Sequence, residues 1–190
     1  VAELRAGRWN KKKYSNSRGL FQKKLAIIGL GSCGIETLKR AKSFGMEIHV
    51  WSRSFSPQKA EKLGVHYASS PQEAATNAHA LTVHLALNSS TRGIISSDVL
   101  SSLRDGAYVI NTARGGIIDE QALLSAIEKK GLRAGLDVFE NEPSSSVTDF
   151  SSATTVHGSV YGTHHIGAST EQASQAVAQE VVDIVQKYRD

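Results

Sequence analysis

Residues 24–53 read KLAIIGLGSCGIETLKRAKSFGMEIHVWSR. The apolar run Leu25-Ala26-Ile27-Ile28 is short and branched enough for a buried parallel strand. It runs into Gly29-Leu30-Gly31-Ser32-Cys33-Gly34. A helical pattern follows with Ile35, Leu38, Ala41 and Phe44 on one side, and Gly45 stops it. Ile48-His49-Val50-Trp51 then forms a second strand ending at Ser52-Arg53. Strand, glycine turn, helix and strand in this order make a dinucleotide-binding βαβ unit. Gly29 makes the tight turn, Gly31 lets a pyrophosphate approach the backbone, and Gly34 lets helix and strand pack closely. The free amides at the helix start favour negative charge.

The rest of the chain repeats the unit. Ser56-Pro57 opens a short helix to Leu63, and 65–68 reads as a strand. Ser70-Pro71-Gln72-Glu73 is a capping box. Strands follow at 81–87, 107–111, 133–138 and 159–163, with a helix at 96–103 and another capped by Asp119 and running to Lys130. Ser169-Thr170-Glu171-Gln172 caps a closing helix whose stripe is Ala173, Ala176, Val177, Val181, Ile184, Val185 and Tyr188. The serine-rich segment from Pro143 to Thr155 reads as a surface loop. Alternation of this kind predicts a doubly wound α/β parallel sheet of the Rossmann type, with helices on both faces. Its functional loops then lie at the carboxyl ends of the strands.

A chain of 190 residues, 40% hydrophobic, is sized for one globular domain. No apolar run is long enough to span a membrane, and no signal-peptide core stands near the start. The net charge of +4 is local. Residues 1–24 hold eight basic side chains (Arg5, Arg8, Lys11, Lys12, Lys13, Arg18, Lys23, Lys24) against Glu3, leaving 14 basic and 17 acidic elsewhere. That distribution suits a solvated leader or an inter-domain contact and lacks the stripe or module of a nucleic-acid binder. One cysteine, Cys33, fits a reducing, cytoplasmic compartment and reads as a small buried hydrophobe.

Three further stretches each end a predicted strand, at 111–116, 136–143 and 163–170. Together they offer a cation, carboxylates and an imidazole beside the dinucleotide, the set that reduction of a keto acid needs. The cation grips the substrate carboxylate, and the imidazole protonates the carbonyl oxygen as hydride arrives at carbon. A carboxylate keeps the imidazole charged and oriented. Taken singly these residues are less telling. Glu140 is as good a partner as Glu142, and an arginine at a strand end is usually a surface ion pair. His49, His66, His79, His84 and His157 read as structural imidazoles, with no metal-ligand spacing between them.

The chain resembles the D-2-hydroxyacid dehydrogenases, and among them the phosphoglycerate dehydrogenases of serine biosynthesis. The resemblance runs from about Leu4 to Tyr188, on GLGSCG (29–34), HLALNSSTRGII (84–95), NTARGGIIDEQAL (111–123), LDVFENEP (136–143) and THHIGAST (163–170). It implies Arg114, Glu142 and His165 as catalytic residues, with His164 a neighbour lacking a role. It also implies cofactor contacts at Ser32 and Cys33 for pyrophosphate, Leu85, Thr112 and Ala113 near the nicotinamide ribose and ring, Asp137 on the carboxamide, and Gly167 and Ala168 beside the ring.

Two departures carry expectations of their own. Ser52 stands where NAD-using members usually carry an acid, and Arg53 follows it, so the cofactor is NAD(P) with NADP favoured. Only 24 residues precede the first strand, so the chain reads as the nucleotide-binding domain of a longer protein, its substrate domain lying elsewhere. The partners implied are a small 2-hydroxy or 2-keto acid and a second copy in a homodimer. Two rivals share the motifs: a glyoxylate or hydroxypyruvate reductase, and a dinucleotide-sensing corepressor-like regulator.

Overall fold

The computed structural model describes residues 2–15, 19–145 and 147–188. Arg18, named above, lies outside them. Seven parallel strands form one sheet: β1 (Lys24–Ile28), β2 (Glu47–Trp51), β3 (His66–Tyr67), β4 (Ala80–Val83), β5 (Tyr108–Asn111), β6 (Arg133–Leu136) and β7 (Val160–Gly162). Their order is β3-β2-β1-β4-β5-β6-β7. The order reverses between β1 and β4, which opens a crevice at the strands' carboxyl ends. The helices are α1 (Ala2–Arg5), α2 (Lys11–Tyr14), α3 (Ser32–Ser43), α4 (Pro57–Leu63), α5 (Pro71–Ala75), α6 (Ser97–Ser102), α7 (Glu120–Lys130) and α8 (Glu171–Lys187).

Period two along β1 divides the core between the faces. Leu25 and Ile27 pack with Leu38 and Ala41 of α3 and Ala60 of α4. Ala26 and Ile28 pack with Ala74, Leu100 and Leu123 of α5, α6 and α7. The expected coverage of both faces therefore holds for β1 and β2, while both residues of the edge strand β3 are exposed. On β5–β7 the α3 side is open, with Tyr108, Ile110 and Tyr161 exposed.

The helix starts follow their caps. Ser56, Ser70 and Asp119 each accept the amide three residues on. The box at Ser70 is shifted by one on its return side, since Glu73 takes the Ser69 amide at 2.7 Å. Thr170, not Ser169, caps α8 and accepts from Ala173. The stripe of α8 is largely open among the described residues, and Val177, Val181 and Val185 are more than half exposed.

Other expectations are corrected. The strand expected at 81–87 stops at Val83, because its partner β1 turns away at Gly29, just after the Ile28 carbonyl accepts the His84 amide at 2.8 Å. On α3 the buried stripe is Gly34, Leu38 and Ala41, while Ile35 and Phe44 face outward. Cys33 is exposed, not a buried hydrophobe, because the first turn of α3 projects at the open end of the crevice. Lys13 pairs with Glu3 at 2.8 Å, tying α2 to α1. No helix among the described residues is long and apolar enough to cross a membrane.

Candidate active site

The glycine turn is built by contact. Gly29 has φ +99, and a Cβ there would lie 2.5 Å from the His84 carbonyl oxygen and 2.8 Å from a Leu85 methyl. A Cβ on Gly34 would lie 2.3 Å from the Gly29 carbonyl oxygen, so helix and strand touch through backbone. A Cβ on Gly31 meets nothing within 4 Å. That open space lies at the start of α3, where no side chain caps the helix. Ser32 and Cys33 occupy this first turn, and the geometry fits a dinucleotide's phosphates.

Beyond the carboxyl end of β2 lies a cavity of about 340 Å³ lined by Leu30, Ile35, Ser52, Ser54, Phe55, Lys59, Lys62 and Leu63. Its floor is apolar and its rim hydroxylic and cationic, which suits an adenosine half. Arg53 is exposed and is not among the lining residues. The cations there are Lys59, whose Nζ donates to the Ser54 carbonyl at 3.0 Å, and Lys62. Sequence spacing pointed at Arg53 because it follows Ser52; Lys62 enters from one turn along α4.

The loops after β6 and β7 meet across a second cavity of about 670 Å³, lined in part by Phe139, Glu142, Pro143, Thr163, His164 and His165. His165 Nδ1 lies 2.7 Å from Glu142 Oε2. The other oxygen of Glu142 accepts the Phe139 amide at 2.5 Å, which fixes the carboxylate. Glu140 points elsewhere: its amide donates to Glu120 Oε1, and its carboxylate faces Arg92 at 3.8 Å.

Asp137 is buried and its carboxylate is fully engaged. Oδ1 accepts from the Thr163 hydroxyl at 2.6 Å and the Ile166 amide at 3.0 Å, and Oδ2 from the Gly167 amide at 2.7 Å. Burial pushes this carboxyl up. The three hydrogen bonds and the nearby His165 outweigh burial and bring it below the ordinary aspartate range. Asp137 thus holds the turn that carries His165, whose φ is +55. The resemblance implied a contact to a carboxamide for Asp137, and its anchoring of 163–167 had no local sequence signal.

Arg114 lies in a turn knotted by Asn111, whose side chain accepts from the Ala113 amide and donates to the Arg114 carbonyl. Gly115 is required there, since a Cβ would lie 1.8 Å from the Phe139 carbonyl oxygen. The Arg114 side chain is exposed, with Nη1 donating to the Ala113 carbonyl at 2.6 Å, and it does not line the His165 cavity. Thr112 is exposed and Ala113 partly buried in the same turn, and Leu85 packs at the crevice wall. Gly167 and Ala168 follow His165 on the exposed loop before α8.

Glu120 was also invisible in the sequence. Its Oε2 accepts the Thr154 hydroxyl at 2.7 Å and its Oε1 the Glu140 amide at 2.6 Å, so one carboxylate ties both ends of the loop carrying Glu142.

Residues 1–167 match the family described as D-isomer specific 2-hydroxyacid dehydrogenase, NAD binding domain. The chain is similar to a D-3-phosphoglycerate dehydrogenase of Bacillus subtilis, 37% identical over 188 residues that cover 97% of this chain and 34% of that protein. A hydroxypyruvate reductase of Thermotoga maritima is 37% identical over 189 residues, 98% of this chain and 59% of the relative. Among solved structures, a glyoxylate reductase from Paecilomyes thermophila superposes with TM-score 0.80 at 33% identity, covering 97% of this chain and 54% of that one. The chain thus spans about a third of the length of the phosphoglycerate dehydrogenase it matches. By fold and by sequence, the chain belongs to the D-isomer specific 2-hydroxyacid dehydrogenase family and comprises its NAD-binding domain.

Proposed function

We propose that this chain is the nucleotide-binding half of an NAD(P)-dependent D-2-hydroxyacid dehydrogenase of the phosphoglycerate type, with the substrate domain in the remainder of a longer protein. The observation that carries the reading is the 2.7 Å contact of His165 with Glu142 in a cavity at the same sheet edge as the glycine turn.

When bound, the nicotinamide supplies or accepts the hydride at the carbon bearing the hydroxyl or carbonyl. In the reductive direction His165 donates its proton to the carbonyl oxygen, and in the oxidative direction it takes the hydroxyl proton. Glu142, held by the Phe139 amide, orients the imidazole. Arg114 leaves the Ala113 carbonyl and forks onto the substrate carboxylate, a planar contact that a lysine cannot reproduce. Ser32 and Cys33 receive the pyrophosphate, while Leu85, Thr112, Ala113, Gly167 and Ala168 line the approach of the nicotinamide end.

NADP is favoured over NAD. Ser52 offers no carboxylate to hold two ribose hydroxyls or to repel a 2′-phosphate, and Lys59 and Lys62 line the adjoining cavity. The complete protein is read as a homodimer, as the family resemblance implies, and sedimentation is the check.

Turnover of the complete protein is the test. Oxidoreduction of phosphoglycerate, abolished by His165→Ala, supports the reading. Activity with hydroxypyruvate or glyoxylate alone moves the assignment to the reductases of the same family. Tight dinucleotide binding with no turnover of any of these acids replaces the enzyme with a dinucleotide sensor.

A further inference from the structure

We propose that Glu47, His49 and His66 form a binding site for one divalent transition-metal ion of the zinc type. The site lies on the edge of the sheet remote from the dinucleotide turn. The three residues are far from consecutive, and parallel pairing brings them together. His49 and His66 are register partners on β2 and β3, and Glu47 precedes His49 by two residues on the same face of β2. The imidazoles stack with centroids 4.4 Å apart and planes 15° from parallel. Glu47 Oε1 lies 2.6 Å from His49 Nε2. One donor atom from each residue lies within 4.8 Å of the other two, the single such group of three among the described residues.

The donor chemistry selects the ion. Two imidazole nitrogens and one carboxylate oxygen suit zinc and its neighbours in the transition series. Calcium and magnesium call for oxygen-rich shells instead. Metal–ligand bonds of about 2.0–2.2 Å in a tetrahedral set put ligand atoms roughly 3.4 Å apart, so the wider separations must close by up to about 1.4 Å while the 2.6 Å Glu47–His49 contact opens by about 0.8 Å. Glu47 and His66 are exposed and can make that adjustment, while the half-buried His49 supplies the fixed ligand. Rotation of the His66 ring out of the stack turns both lone pairs toward a common point. The proton shared by His49 and Glu47 leaves Nε2, either to Nδ1 or to solvent, as the metal takes its place. The other charges bearing on the cluster are Lys24 on β1 and Glu73 on α5, which are opposite in sign. Three protein ligands leave one position for water.

Such an ion has a structural part to play. Strand β3 is two residues long and terminates the sheet, so little backbone pairing holds it. A metal bridging His66 to β2 clips this edge down. Along β2 the ligands Glu47 and His49 stand about 16 and 10 Å before Ser52 at strand rise, on the adenosine side of the crevice and away from hydride chemistry.

The test is calorimetric titration of the 190-residue chain with Zn²⁺, paired with visible spectroscopy of the Co²⁺ form. Saturation at one equivalent, with the d–d bands of four-coordinate Co²⁺, is expected. His66→Ala and Glu47→Gln should each weaken Zn²⁺ by at least the roughly 10- to 100-fold that loss of a mere supporting partner costs. His157→Ala removes the comparable surface pair with Glu128 and should leave the affinity unchanged. Both ligand variants alter exposed side chains, and circular dichroism verifies that they fold. Absence of one-equivalent binding, or binding that survives both ligand variants, overturns the proposal.

Discussion

The backbone carbonyl of Asp137 accepts the amide of His165 at 2.8 Å, while the Asp137 carboxylate receives the next two amides, Ile166 and Gly167. One buried residue at the end of β6 thus sets the left-handed backbone on which the candidate proton donor sits. Asp137→Asn turns one acceptor into a donor facing the Gly167 amide, and should cost about 1–3 kcal/mol. The Asp137 carboxyl lies below the ordinary aspartate range when folded, so its stabilisation is present above that range and is lost as pH falls through the depressed value. Thermal melts should show the gap between wild type and Asn widest at neutral pH and closing in acid. A gap independent of pH would show that the charge of Asp137 has no part in holding the turn.

Glu142 and His165 should act as a pair. In the complete protein His165→Ala should lower the rate by roughly 10²- to 10⁴-fold with cofactor affinity nearly intact. Glu142→Gln should lower the rate in the same way, because it alters the carboxylate that orients the imidazole. If only Glu140→Gln lowered the rate, the 2.7 Å contact would not be the working one.

The second and third glycines of the turn should fail in different ways. Gly34→Ala drives a methyl into the Gly29 carbonyl and should destabilise the fold by about 1–3 kcal/mol or more. Gly31 has an ordinary φ of −78° and open space for a Cβ, so Gly31→Ala should melt like wild type and bind dinucleotide more weakly. Melting curves beside NADH and NADPH titrations read both effects.

Glu120→Ala releases the Glu140 amide and the buried Thr154 hydroxyl together. Limited proteolysis between Pro143 and Thr155 should accelerate, and stability should fall by about 1–3 kcal/mol. Unchanged cleavage would mean that the loop is held from elsewhere.

Coenzyme choice should reverse with one carboxylate. Wild type should bind NADPH more tightly than NADH, by roughly 5- to 150-fold if the charged contact is worth about 1–3 kcal/mol. Ser52→Asp should invert the order, and Lys62→Ala should weaken NADPH while sparing NADH. Tighter NADH binding by wild type refutes the NADP reading.

The sequence by itself determined the order of strands and helices, the glycine turn, most helix caps and the parallel sheet. Periodicity and capping are local, and residues three to four apart carry them. It also pointed to Arg114, Glu142 and His165 through motif resemblance, yet left Glu140 and Glu142 equal as chemistry. Tertiary structure separated those two. Asn141, with φ +59, turns the chain between them, so Glu142 meets a histidine 23 residues away and Glu140 turns toward α7 and Arg92. The same holds for Asp137 with the 163–167 loop, for Glu120 with Thr154, and for His49 beside His66. These contacts depend on which strands pair and in what register. That is decided by packing of the whole sheet, and a short window of residues does not encode it.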